Sequence, residues 1–367
     1  MFIYQYIGIS IWATAIMAIP QAASINPALT ARSQLLSEAE AVAIASGYYG
    51  VVAEAHRLSG EKDSNFRLAT SSGDEYLLKV VNPGEAPDVT NLHTLALMHV
   101  AGRDPELPVQ RVVKTLEGLP EFQLQISEDD VRTVRLVTFS KGLLQRKAKQ
   151  TPAQRHNIGT MLARLQIALA DFSHPAEDHF STWDLKNVLS LKGMVDDLPT
   201  SGGKDELYAW LSLFENDIQP HVPALRAQLV HNDLNSDNIV VDPNDTDQVA
   251  GIIDFGDMVK TPVLFDVAVA AAYQLTEATD PLQAAIEFVQ GFHALRALTP
   301  HEIDLLFRSV VVRMAMRIII TEWRAVRFPE NSQYILRNTP QAWRQFHRLA
   351  DISNEQATSA IAAALNK

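Results

Sequence analysis

The chain has 367 residues, enough for two lobes with separate cores, because a single core stops growing near about 250–300 residues. A hydrophobic share of 47% and a charged share of 20% describe an ordinary globular protein without repeats or low-complexity tracts. The net charge of −12 argues against a nucleic-acid partner, whose phosphates call for a positive surface, and it suits a cationic small molecule. The absence of cysteine excludes disulfides and thiolate metal sites.

Residues 1–34 read as an apolar extension. No charged side chain occurs from Met1 to Thr30, and the run from Ile7 to Ala23 ends in Gln21-Ala22-Ala23-Ser24, which resembles a signal-peptidase site. Three readings stay open here: an extension ahead of the folded domain, a secretory signal, or a membrane anchor. A signal ordinarily carries Lys or Arg near its start, and none precedes Arg32. An anchor needs a span of about 20 apolar residues, and Gln5, Ser10 and Gln21 interrupt this one.

The first element begins at Ser37-Glu38-Ala39-Glu40, which has the spacing of a capping box, and Gly47 is expected to end that helix. Extended runs follow at His56 to Ser59, Asn65 to Thr70 and Glu75 to Val81. The last two are joined by Ser71-Ser72-Gly73-Asp74, a hairpin signal. A helix is expected from Asn91 to Val100, then strands over Val109 to Lys114, Phe122 to Ile126 and Val131 to Phe139. Residues 35–139 thus read as a small strand-rich lobe, and Ser140-Lys141-Gly142 as a hinge. From Thr151 the period turns helical, with Ile158, Met161, Leu162, Leu165 and Leu169 at helical spacing, and residues 140–367 read as a larger helical lobe. Within it, Ile239 to Val241 and Val249 to Ile253 are short apolar strands, Pro262 starts a helix through Leu275, and His301 to Arg327 makes a long one.

The chemistry is concentrated in His231-Asn232-Asp233-Leu234-Asn235-Ser236-Asp237-Asn238 and, after a polar turn, in Gly251-Ile252-Ile253-Asp254-Phe255-Gly256-Asp257. Phosphoryl transfer needs a carboxylate for the acceptor hydroxyl and hard oxygen ligands for Mg²⁺. Asp233 suits the first task, and Asn238 and Asp254 suit the second. Their order and spacing match the H-R-D-L-x-x-x-N and D-F-G pattern of protein kinases. The chain is no protein kinase, however, because Asn232 stands where those enzymes have Arg and no A-P-E segment follows Asp254. It resembles instead the aminoglycoside phosphotransferase and choline kinase superfamily, and within it the hydroxylysine kinase group, from about Leu35 to the C-terminal helices. Further segments that carry the resemblance are Asp63-Ser64-Asn65-Phe66, Tyr76-Leu77-Leu78-Lys79-Val80, Trp183-Asp184-Leu185-Lys186-Asn187 and Pro329-Glu330-Asn331.

The resemblance implies an α+β, two-lobe protein-kinase-like fold with a small β-rich N-lobe and a larger, mostly helical C-lobe. It implies transfer of the γ-phosphoryl of ATP or GTP, with Mg²⁺, to a hydroxyl on a small cationic molecule. The leading acceptor is 5-hydroxy-L-lysine; aminoglycosides, choline and homoserine are the alternatives, since acceptor choice lives in variable helices and loops. A non-catalytic nucleotide-binding module is the alternative of another class, and the intact set of Asp233, Asn238 and Asp254 argues against it. A nucleotide-consuming enzyme is expected in the cytoplasm, with no stable membrane partner.

Lys79 resembles the small-lobe lysine that grips the nucleotide phosphates, and Asn65 is expected beside it. The usual partner of that lysine is a Glu on the following helix, but Asn91-Leu92-His93-Thr94-Leu95 has none, which leaves Asn91 or His93 in the position and Glu85 upstream. Gly60 to Asn65 lies where a phosphate-covering loop belongs, although it lacks G-x-G-x-x-G. His231 is read as orienting the loop, and Asp266 as its brace. Asp257 and Arg313 are expected to reach the substrate, because an amino acid needs an acid for its ammonium and an Arg fork for its carboxylate. Arg313 and Arg317 share a face at i and i+4. Trp183 and Trp323 are read as core residues.

Overall fold

The computed structural model describes residues 36–58, 63–199, 203–275 and 278–366. The apolar extension, and part of the loop expected over Gly60 to Asn65, lie outside the described residues. No helix among the described residues is long and apolar enough to cross a membrane.

Helix α1 (Glu38–Tyr49) carries the reciprocal cap that its sequence predicts, with Ser37 and Glu40 each accepting from the other's backbone N–H. It does not stop at Gly47. The turn is made by Gly50, which takes φ 67° and donates to the carbonyls of Ala45 and Ser46. There follow β1 (Ala53–Leu58), β2 (Ser64–Thr70), β3 (Glu75–Val80), α2 (Pro87–Arg103), β4 (Val112–Val113), β5 (Phe122–Ser127) and β6 (Asp130–Thr138). The six strands form one sheet in the order β1-β2-β3-β6-β4, with β5 also paired to β6. The strand expected from Val109 to Lys114 is shorter, because the Ile252 N–H captures the Pro108 carbonyl at 2.7 Å and Val109 bridges to Ile252 in the other lobe.

Alternation along the strands decides what the sheet offers to the cleft. Phe66, Leu68, Leu78, Val80, Val134 and Leu136 are fully buried in a core shared with Ala41, Ile44 and Ala45 of α1. The intervening positions face the other way, and the register sets Asn65 opposite Lys79 and Lys79 opposite Arg135. One polar row therefore crosses β2, β3 and β6.

The larger lobe contains β7 (Leu143–Leu144), α3 (Pro152–Ala168), α4 (Lys192–Asp196), α5 (Lys204–Leu213), β8 (Ala227–Val230), β9 (Ile239–Val241), β10 (Val249–Ile252) and β11 (Val259–Pro262). It then continues through α6 (Val263–Tyr273), α7 (Pro281–Leu295), α8 (Pro300–Arg327), α9 (Ser332–Ile335), α10 (Thr339–Ala350) and α11 (Asn354–Leu365). Every residue of α6 from Val263 to Ala272 is buried, as expected of a helix that is apolar all round and serves as a central post. The connection between the lobes is tight. Gly142 has φ 146°, and a Cβ there would stand 2.6 Å from both Val240 Cγ1 and the Val241 carbonyl oxygen. Beside it, Lys141 Nζ donates to the Gly73 carbonyl at 2.8 Å, tying the connection back to the β2–β3 turn.

Candidate active site

Two short antiparallel ladders hold the chemical loops side by side. β8 pairs with β11 and β9 with β10, so residues 231–238 and 253–258 leave neighbouring strand ends. The Ile253 N–H donates to the Asn238 carbonyl at 2.9 Å and locks one loop to the other. Asn232, at φ 63°, and Asp254, at φ 59°, are the non-glycine residues with positive φ among the described residues. Such strained backbone persists only where its surroundings over-determine it, and here they do. The Asn232 N–H donates to Asp266 Oδ1 at 2.8 Å, while Gln166 Nε2 donates to Asp266 Oδ2 at 2.7 Å. Asp266, at the first turn of α6, is fully buried, and that burial pushes its carboxyl up. It braces the loop from below.

His231 is also fully buried, and burial pushes its imidazole down, so the ring is neutral at pH 7. Nε2 lies 3.1 Å from the Ile253 carbonyl, while Nδ1 accepts from the Asp233 N–H at 3.3 Å. The carbonyl can only accept, so the proton belongs on Nε2. Phe255 packs edge-on against the ring at 4.8 Å. His231 thus joins the two loops as a strut, with no nitrogen left for chemistry.

Asp233 sits between groups that fix each of its oxygens. Oδ2 accepts from Asn235 Nδ2 and Asn238 Nδ2, both at 2.8 Å, and Oδ1 lies 3.7 Å from the Arg313 guanidinium. Burial and the nearby Asp257 carboxylate push the Asp233 carboxyl up, against the pull of Arg313. Asn238 Nδ2 donates as well to the Asp233 backbone carbonyl at 2.8 Å. Both of these partners are acceptors, so the amide nitrogen must face Asp233, and Asn238 Oδ1 turns to the opposite side.

Asp254 keeps 55% of its side chain exposed, directed at the cleft. Lys79 Nζ lies 3.3 Å from its Oδ1 and holds the carboxyl down at about 2, so Asp254 is ionised at neutral pH. The donor set of one ionised carboxylate and one amide oxygen contains oxygen alone, which fits a hard cation that takes its remaining ligands from phosphate and water. Among the described residues no group of three His, Asp or Glu side chains forms a cage for a metal.

The partner of Lys79 is not on α2. Asp63, just ahead of β2, places Oδ2 at 2.9 Å from Lys79 Nζ, and its Oδ1 accepts from the Asn82 N–H at 2.9 Å. Burial works against the ammonium, but Asp254 and Asp63 more than offset it and raise its pKa. His93 cannot substitute, because burial and the neighbouring Arg135 push its imidazole well down and leave it uncharged. Asn91 is turned to Glu121 at 2.8 Å. Sequence reasoning quoted Asp63 without giving it this role. The signal was present: an acid two positions before the residue that pairs with Lys79.

Arg313 also differs from expectation. It is 1% exposed, donates to the Trp183 carbonyl at 2.8 Å and lies over the Trp183 ring at 5.1 Å. Its charge is directed to Asp233 from behind, and its burial keeps the guanidinium from the open cleft. Trp183 is correspondingly the seat of that guanidinium. Trp323 is a core residue whose Nε1 donates to Asp197 at 3.1 Å. Asp257 lies close enough to Asp233 to raise its carboxyl, and Asn65 stands in the cleft row beside Lys79.

Residues 54–302 match the family described as the phosphotransferase enzyme family. The chain belongs to that family. It is a small-molecule kinase, and its two lobes are those of the family's kinase-like fold. Mouse (Mus musculus) hydroxylysine kinase is 27% identical over 346 residues, covering 88% of this chain and 91% of that protein. Homoserine kinase of Neisseria meningitidis serogroup B is 25% identical over 295 residues, covering 78% and 87%. Among solved structures, amicoumacin kinase in complex with AMP-PNP, Ca²⁺ and Ami superposes with a TM-score of 0.65 at 14% identity, over 88% of this chain and 97% of that one. At that identity the likeness shows a shared fold.

Proposed function

We propose that this kinase transfers the γ-phosphoryl of ATP or GTP to the side-chain hydroxyl of a small amino acid, with 5-hydroxy-L-lysine as the leading acceptor. The observation that carries the reading is the geometry around Asp233. Its Oδ2 is held by two amides and its Oδ1 faces Arg313, so the carboxylate is fixed where an acceptor hydroxyl approaches along the cleft. The hydroxyl oxygen bonds to the γ-phosphorus as the bond from that phosphorus to the β–γ bridging oxygen breaks, and the hydroxyl proton passes to Asp233. Arg313 stabilises the carboxylate before transfer and orients it, acting as a positioning residue.

Lys79, steadied by Asp63, holds the α- and β-phosphates, and Asn65 stands beside it. Asn238 Oδ1 and Asp254 would hold Mg²⁺, which when bound neutralises phosphate charge. Asp257 is placed to receive a substrate ammonium, and the net charge of −12 favours such a cation. The hydroxylysine kinase relatives support the acceptor by covering most of their own length. A homoserine acceptor keeps a place as a second reading because homoserine kinases match over 78% of this chain. The cytoplasm, with its nucleotide supply, remains the expected compartment. The reading is tested by measuring nucleotide consumption by the full chain with hydroxylysine, homoserine, choline, ethanolamine and aminoglycosides in turn. Turnover is expected with hydroxylysine first; consumption with none of them would discard this substrate class.

A further inference from the structure

Beyond Arg313, the same face of α8 continues into a second cavity. Arg317, Thr321 and Arg324 follow Arg313 at i+4, i+8 and i+11, which keeps all four within a narrow arc of the helix. Arg317, Thr321 and Arg324 line a cavity of about 120 Å³ whose opposite wall is Arg337, Asn338 and Thr339. With a rise of about 1.5 Å per residue, Arg317 stands roughly 6 Å along the helix from the residue that touches Asp233. A second helix leads the same way. α6 starts at the brace of the catalytic loop and ends at Tyr273, whose ring lies 5.0 Å beneath the Arg317 guanidinium.

The cavity is a cationic enclosure in an acidic protein. Three arginines line it and no carboxylate does. Arg324 and Arg337 have other partners. Arg317 has the Tyr273 ring beneath it, and among the described residues no carboxylate pairs with it. A second feature points independently to a ligand. Thr339 lines the cavity and is only 7% exposed, and its hydroxyl, shielded behind that wall, has no hydrogen-bond partner. A buried polar atom left so is an exception among folded proteins.

We infer that this cavity takes the α-carboxylate of the acceptor, with Arg317 as the pairing cation and the Thr339 hydroxyl as an added donor. The inference rests on the amino-acid reading above and deepens it. The carboxylate is bound at one end of the acceptor, the reacting hydroxyl meets Asp233 at the other, and an acceptor lacking the carboxylate loses a charge-assisted pair. Arg317, not Arg313, then makes the distinction between a hydroxylated amino acid and an amino alcohol.

The test compares 5-hydroxylysine with its decarboxylated analogue, 1,5-diamino-2-pentanol, in wild type, Arg317→Gln, Arg317→Lys and Thr339→Val. The quantity read is the ratio of kcat/KM for the two acceptors. Wild type is expected to favour the amino acid, and R317Q to reduce that preference by roughly 10- to 100-fold through KM. R317K should retain part of the preference and T339V lose a smaller part, with nucleotide affinity measured alongside as a check on folding. An R317Q effect of equal size on both acceptors, or an unchanged ratio, overturns the inference while leaving the amino-acid reading intact. Protection of the cavity by inorganic phosphate, without any change in the acceptor ratio, makes it a site for a free anion and overturns the inference as well. A wild-type enzyme that turns over the amino alcohol and not the amino acid defeats both.

Discussion

Asp63 Oδ2 stands 2.9 Å from Lys79 Nζ, with both side chains largely out of water at 15% and 12% exposure. The acid that steadies Lys79 therefore comes from the residue just ahead of β2, and the helix that follows is free of that task. Asp63→Asn should leave Lys79 with Asp254 alone, drawing its ammonium toward that carboxylate and away from the proposed nucleotide site. Nucleotide affinity is expected to fall roughly tenfold, the scale of one charge-assisted hydrogen bond of about 1.5–3 kcal/mol partly replaced by an amide. Asp63→Glu should recover part of it. Titration of a fluorescent nucleotide would show this, and an unaltered affinity in Asp63→Asn would remove Asp63 from the grip.

Asp233 has to be ionised to take a proton, and its carboxyl is pushed up by burial and by Asp257. Activity should accordingly be lost as pH falls through that raised value, giving an acid limb above the ordinary carboxylate range. Asp257→Asn removes a like charge and should move the limb to lower pH. Arg313→Gln removes the opposing cation and should move it to higher pH. Profiles of kcat/KM against pH for the two variants would decide the matter, since displacement in the same direction contradicts the electrostatics of the pair. Asp233→Asn itself should reduce kcat by about 10²–10⁴-fold with nucleotide binding retained.

Asp266 accepts from the Asn232 N–H and from Gln166. Asp266→Ala leaves both donors without their acceptor in a buried setting, at about 1–3 kcal/mol each. Part of that loss is offset by removal of a carboxylate whose burial is unfavourable. Asp266→Asn should be milder at Asn232, where an amide oxygen still accepts, and worse at Gln166, where two amide nitrogens meet. Urea unfolding of the three proteins should rank wild type above Asn above Ala, with turnover falling in step.

Gly142 leaves no room for a side chain in the connection between the lobes. Gly142→Ala places a Cβ 2.6 Å from the β9 backbone and requires a conformation that L residues rarely adopt, so a loss of about 1–3 kcal/mol is expected. Because the strain sits on the chain between the lobes, both nucleotide affinity and kcat should move. A variant as stable and active as wild type would mean that the connection relaxes freely.

Much of the candidate site is legible in the sequence because it is local. Asp233 and Asn238 lie on one short loop, and Asp254 follows the next two strands, so their spacing alone specifies a carboxylate, an amide oxygen and a second carboxylate. The capping box at Ser37 and the alternation in β2 and β3 are readable for the same reason: the interactions span a few residues of chain. Where that locality weakens, so does the reading. Gly47 and Gly50 look alike in sequence, and the helix ends at the one that turns left-handed.

The sequence by itself determined a kinase-type loop with a carboxylate, an amide and a second carboxylate in fixed order, and a strand-rich lobe ahead of a helical one. Tertiary structure alone decided which charges meet. Antiparallel register brought Asp63 to Lys79, and the passage of α8 behind the Asp233 loop turned Arg313 to Asp233 and set Arg317 in the wall of a cationic cavity. Charge pairing depends on separations of a few ångströms between elements far apart in the chain, and no periodicity in a single sequence encodes such distances.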